Sequence, residues 1–151
     1  MLAAPEKKFL HVLLLAGAEY QALEKIKTAF PSYQAAWNAD AAALIAAGLT
    51  PELASAIKTA RSRVEPDDEL RKLVTAGIAL VAADDPEYPQ GLKVIATPPT
   101  ALYIKGRFAP ASPHLAVVGT RKASQYGKEA MRKVIRELAD EAELVIVSGL
   151  A

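Results

Sequence analysis

The chain has no cysteine among its 151 residues, which excludes a disulfide scaffold and any thiolate metal site and fits a reducing compartment. Histidine is almost as scarce. His11 falls on an apolar helix face and His114 ahead of a strand, so neither points to catalysis or a metal, and no cofactor is expected. An excess of one charge is missing too. The net charge is +1, so any signal for nucleic acid has to come from local clustering. Long hydrophobic runs are absent: residues 9–18 are apolar but too short to span a bilayer, and the N-terminus lacks the layout of a secretory signal. A soluble, cytoplasmic protein without a membrane partner is the expectation, with room for one domain or two small ones.

What is abundant is alanine, above all in residues 1–64, which read as a small all-helical domain. Pro5 opens a helix that Gly17 ends, and a second helix runs over 19–30 until Pro31 stops it. Asp40 is placed to cap a short helix over 41–47, and Thr50 to cap another that begins at Pro51 and runs to about residue 64. Short helices joined by glycine turns resemble sterile-alpha-motif or helix–hairpin–helix modules. Trp37 and Tyr33 could stack on bases, but a small helical domain with one tryptophan more often buries it.

Residues 65–69 mark a boundary, and 65–151 read as a second, α/β domain. A helix to residue 76 is closed by Gly77. Strands follow at 78–82, 101–105, 115–118 and 144–147, with one helical turn at 92–95 and a long helix over 124–142. The turn cluster at 84–89 holds Asp84, Asp85 and Glu87, which read as turn chemistry rather than a metal site. Tyr88 and Tyr103 are expected to pack this second domain. The continuous apolar runs at 115–118 and 144–147 predict parallel strands covered on both faces, joined by a right-handed crossover helix whose buried stripe is Met131, Val134, Ile135 and Leu138.

Ligands gather at the carboxyl ends of parallel strands. Two segments fall there and should lie side by side: Gly119, Thr120 and Arg121 after one strand, Ser148 and Gly149 after the other. Gly119 is expected to permit a tight turn, Ser124 to cap the helix, and Gly127 to allow close approach to its first turn, whose free N–H groups form an anion site. Tyr126 sits beside this turn. Residues 121–136 carry Arg121, Lys122, Lys128, Arg132, Lys133 and Arg136 against the single acid Glu129, whereas Glu137, Asp140, Glu141 and Glu143 follow without a base. That polarity opposes the helix dipole, where acids at the start and bases at the end are worth roughly 0.3–1 kcal/mol each. An anion docked at the helix start accounts for it. A nicotinamide cofactor does not fit, because Arg121 stands where the second glycine of Gly-x-Gly-x-x-Gly belongs, and no Walker A ending is present.

Val118-Gly-Thr-Arg-Lys-Ala-Ser-Gln-Tyr-Gly127 resembles the Gly-Ser/Thr-Arg motif of the DNA-processing protein A family, also called Smf. Three further segments are similar to that family's signatures in the same order: Asp85-Pro-Glu-Tyr-Pro89 with Leu92, Pro98-Pro-Thr-Ala-Leu-Tyr-Ile-Lys-Gly106, and Ser148-Gly-Leu-Ala151. The resemblance implies a sterile-alpha-motif-like domain at 1–64 and, at 65–151, the N-terminal portion of an extended Rossmann-like domain. Since the family's domain continues further, the chain is expected to be incomplete and to bind DNA weakly, if at all, with an open sheet edge that invites association.

The implied function is that of a single-stranded DNA-binding protein, not an enzyme. It would protect incoming DNA and load a RecA-type recombinase in natural transformation, and act as a homodimer at full length. By motif, Arg121 would contact phosphate, with Lys122 a weaker candidate. Gly119, Thr120 and Gly149 would shape the pocket, Ser124 and Gly127 would set the helix start, and Tyr126, Lys128 and Ser148 complete the candidate set. The competing readings are a nucleotide-processing Rossmann-like enzyme of the phosphoribohydrolase kind, whose Pro-Gly-Gly-x-Gly-Thr motif is absent from this sequence, and a protein-interaction module centred on the helices.

Overall fold

A computed structural model of the chain describes residues 2–107, 112–139 and 144–149. The order is α1 (Ala4–Leu15), α2 (Tyr20–Ala29), α3 (Tyr33–Asn38), α4 (Ala41–Ala46), α5 (Pro51–Arg61), α6 (Pro66–Thr75), β1 (Ile78–Ala82), α7 (Gln90–Lys93), β2 (Ala101–Lys105), β3 (His114–Val117), α8 (Gln125–Leu138) and β4 (Val145–Ser148). The fold is mixed α/β and divides into two compact units, Met1–Arg107 and Phe108–Ala151.

In the first unit, α1 sends Phe9, Leu10, Val12 and Leu13 inward at helical spacing, to meet Leu23 and Ile26 of α2, Trp37 of α3, Leu44 of α4 and Ile57 of α5. Trp37 and Tyr33 are both buried. The expected caps form: Asp40 accepts from the Ala43 N–H at 2.7 Å and Thr50 from the Leu53 N–H at 3.3 Å. Helix α3 was not foreseen. It starts two residues after Pro31, and its cap is Ser32, whose hydroxyl accepts from the Ala35 N–H at 3.0 Å.

The expected boundary between residues 64 and 65 lies inside this unit. Ala82 of β1 belongs to the helical core, and Lys8 of α1 contacts Asp67 of α6 at 2.7 Å. The turn after β1 is bound to the first helix. Buried Asp85 accepts from the N–H groups of Ala82 and Leu2 and lies 2.6 Å from the Lys7 ammonium. Tyr88 is buried with its hydroxyl donating to the Pro99 carbonyl at 2.7 Å, as a packing residue should. Tyr103 behaves differently. It is half exposed, and its hydroxyl meets His11 Nδ1 of α1 at 2.8 Å, so it joins the strands to the helices.

Strands β1 and β2 match the expected spans, but they pair antiparallel, with Ile78 opposite Lys105 and Ala82 opposite Ala101. The parallel sheet is confined to β3 and β4 in the second unit, so 65–151 do not form one parallel sheet among the described residues. The expected covering of both faces does not hold either: Ile146 and Val147 are well exposed. Two four-residue strands and one helix supply too few layers to enclose a core. For the same reason the predicted buried stripe on α8 is open: Met131 is 40% and Val134 47% exposed, with Ile135 and Leu138 intermediate. The end of the expected helix, residues 140–142, lies outside the described residues, as do residues 150 and 151 of the last quoted motif.

Candidate functional site

Parallel pairing sets β3 and β4 in register, His114 with Val145 through Val117 with Ser148. The segment after β3, with Gly119, Thr120, Arg121 and Lys122, therefore leaves the sheet beside Ser148 and Gly149, as expected for two strands with one crossover. The connecting turn is tied locally. Thr120 Oγ1 accepts from the Lys122 N–H at 3.1 Å, a bond typical of threonine in turns.

The chain then enters α8 through Ser124, whose hydroxyl accepts from the Gly127 N–H at 3.1 Å. An isolated helix start leaves its first N–H groups without intrahelical acceptors. Ser124 caps one of them. The N–H groups of Gln125 and Tyr126 have no partner among the described residues, and no acid occupies this first turn.

An open concavity of about 550 Å³ lies against these elements. Among the candidate residues, Gly119, Thr120, Ser124, Gly127 and Lys128 line it. Arg121, Lys122, Tyr126, Ser148 and Gly149 do not, although all five are exposed and the first three flank the lining segment in sequence. Met131 and Arg132 line it as well. The sequence reading assigned Met131 to a buried stripe and left Arg132 outside the site. Their spacing from Lys128, three and four residues along the helix, was the available signal.

Gly119 corrects a further expectation. Its backbone is not in the left-handed region, and a Cβ added to it would meet no atom within 4 Å. It is therefore not needed for a tight turn; the space beside it is open. At Gly127 an added Cβ would come 3.4 Å from Ser124 Oγ, an ordinary contact.

Over residues 112–139 the sequence has six bases and two acids, Glu129 and Glu137. Lys133 approaches Glu137 at 4.0 Å, and Glu129 is engaged by the Gln125 amide at 2.8 Å. Arg121, Lys122, Lys128 and Arg132 form no ion pair among the described residues. The charge polarity read from sequence holds only in part. Helix α8 as described ends at Leu138 with Arg136 and Glu137 both in its last turn, while Asp140, Glu141 and Glu143 lie outside the described residues. Exposed, unpaired bases beside open N–H groups suit an anion held by charge and by hydrogen bonds.

Residues 79–151 match the family described as DNA recombination-mediator protein A. This part of the chain is similar to that family along its whole length. Over 135 residues, 85% of the chain, it is 30% identical to Protein Smf of Synechocystis sp.. It is 36% identical over 77 residues, half of the chain, to the DNA processing protein DprA of Bacillus subtilis, and 46% identical over 65 residues, 42% of the chain, to that of Streptococcus pneumoniae. The matched stretches span 34%, 26% and 22% of those relatives' lengths, so the chain corresponds to about a third of them or less. No solved structure matches the chain significantly. The matched segment contains every candidate site residue.

Proposed function

We propose that the turn after β3, the start of α8 and the end of β4 bind the phosphates of single-stranded DNA, and that the chain belongs to a recombination mediator acting in natural transformation. In this reading it protects incoming DNA and passes it to a RecA-type recombinase, as a cytoplasmic binding protein rather than an enzyme, dimeric at full length. In this reading the helices of residues 1–64 are sterile-alpha-motif-like in arrangement, and the strands and helices of 65–151 are Rossmann-like. One observation carries the proposal: a concavity at the carboxyl end of a parallel strand is lined by the exposed bases Lys128 and Arg132, and the chain segment that lines it also carries Arg121, Lys122 and the open N–H groups of Gln125 and Tyr126, with no carboxylate partner for any of the four bases among the described residues. The similarity to DNA processing proteins of Bacillus subtilis and Streptococcus pneumoniae supports the DNA side of it.

Arg121 supplies a planar fork suited to phosphate oxygens, and Lys122, Lys128 and Arg132 supply point charges and a second fork. Backbone N–H groups and phosphate contacts carry no base information, so binding should be independent of sequence. Fluorescence anisotropy of labelled single-stranded and duplex oligonucleotides across a salt series tests this. The expected result is single-strand binding with Kd of about 10⁻⁴–10⁻⁶ M, weakened by salt and by Arg121→Ala. Equal affinity for duplex, or indifference to Arg121→Ala, would overturn it, and turnover of a nucleoside monophosphate would replace it with nucleotide chemistry.

A further inference from the structure

A second cavity, of about 240 Å³, lies wholly within the first unit, and its chemistry is the opposite of the site above. Ile26, Phe30 and Pro31 give it apolar walls, and Glu6, Tyr33 and Asp84 bring polar groups to it. Tyr33 is 5% exposed, yet its hydroxyl makes no hydrogen bond among the described residues. Its own backbone N–H is already committed, donating to Glu6 Oε2 at 2.7 Å. Burial raises the phenol's pKa, and the charges of Asp84, Glu24 and Glu6 raise it further, so three carboxylates act on that hydroxyl. The remaining lining cation, Lys27, is paired with Glu24 at 3.2 Å.

The Tyr33 hydroxyl has no protein partner among the described residues but is open to solvent, so a ligand in the cavity can take the place of water on it. The sign of the surrounding charge rejects phosphate. The volume is below the ~300–1,000 Å³ of ordinary small-molecule sites, so a nucleotide does not fit and a single side chain does. A cation with an apolar stem and a flat face able to lie against a ring meets all of these conditions, and that describes arginine better than lysine.

We propose that this cavity receives one arginine side chain from a protein partner, with Asp84 and the Tyr33 hydroxyl engaging the guanidinium and Phe30 and Pro31 receiving its stem. The helical unit then has a protein-docking role separate from the DNA site.

The test is two-dimensional amide NMR of the whole chain with three probes: acetyl-arginine amide, its neutral isostere acetyl-citrulline amide, and a Gly-Ser-Arg-Ser-Gly peptide. The arginine amide and the peptide should both shift the amides of Ser32, Tyr33 and Asp84, with the peptide bound at least as tightly and the citrulline compound at least tenfold more weakly. Asp84→Asn and Tyr33→Phe should each weaken binding at least threefold while leaving the remaining spectrum in place. Equal binding of citrulline, shifts confined to other residues, or full affinity in both variants would overturn the proposal. Exclusion of the peptide while the free amide binds would overturn the protein partner.

Discussion

The ammonium of Lys7 in α1 lies 2.6 Å from the carboxylate of Asp85, whose side chain is wholly buried in the turn after β1. This pair, seventy-eight positions apart in sequence, fastens the two-stranded sheet to the first helix. The N–H groups of Ala82 and Leu2 complete the shell around the carboxylate, at 2.9 and 3.1 Å.

Asp85→Ala should therefore destabilise the first unit substantially. Removing one member of a buried pair costs about 3–5 kcal/mol, and Lys7 remains partly in water, so about 2–4 kcal/mol is expected. A urea titration followed by Trp37 fluorescence would measure it. Burial by itself would raise the Asp85 carboxyl, but hydrogen bonds from Lys7 and from the Ala82 and Leu2 N–H groups, with the Lys7 charge, outweigh it and hold the pKa below its ordinary 3.8. A depressed carboxyl stabilises the fold above its unfolded pKa, and the gain is lost as pH falls through the folded value. The Asp85→Ala variant should show a shallower loss of stability than the parent below about pH 4.

His11 adds a second pH dependence, at a higher range. Burial lowers its pKa from 6.5, only partly opposed by Glu69, so the fold favours the neutral ring. A lowered pKa gives stability that is complete above about pH 6.5 and declines as pH falls through the folded value. Tyr103→Phe should remove the 2.8 Å contact to Nδ1 and cost about 0.5–1.5 kcal/mol at pH 7.5. Thermal melts of parent and variant between pH 7.5 and 5 would test both points; stability that stays flat in the parent would count against a neutral, buried His11.

At the candidate site, Arg121→Ala should leave the melting temperature unchanged, since the side chain is exposed, and flatten the salt dependence of single-strand binding. Loss of one phosphate contact corresponds to about 0.7 in the slope of log K against log salt. Ser124→Ala should do the reverse, costing about 0.5–2 kcal/mol of helix stability through the lost cap. An unchanged slope in Arg121→Ala would separate this residue from the phosphate.

Hydrogen exchange should distinguish the units. No described residue of 112–149 is buried, whereas α1 alone contributes four buried apolar residues to its core. Amides of β3, β4 and α8 should exchange at lower free energies than those of α1 and α5. Equal protection would show that the second unit is stabilised by something other than apolar burial.

The sequence made β1 and β2 legible because each is a β-rich run of five between glycine or proline punctuation. The same clarity held for the Thr50 and Asp40 caps, where one side chain and the amide three residues on are enough. The pairing sense of β1 and β2 was not legible, since neither strand's pattern says which neighbour it meets. Helix α3 was missed because Pro31 was read as an end, although Ser32 after it is a cap. In the site, the parallel pairing of β3 with β4 followed from two apolar runs and a crossover helix, whereas the register did not, since β3 begins one residue before its expected span and β4 one residue after. That Met131 lines the concavity while Arg121 stands outside it depends on how much of α8 the sheet covers, which no local pattern reports.

Gly119 has consequences for genetics. With open space around it and an ordinary backbone conformation, alanine there should leave protein abundance and folding untouched while placing a methyl group at the edge of the concavity. Its allele would separate function from stability: normal levels in the cell, with any lost phenotype traceable to the ligand. Core alleles at Leu10 or Ile57 would instead be lost through degradation of the whole chain.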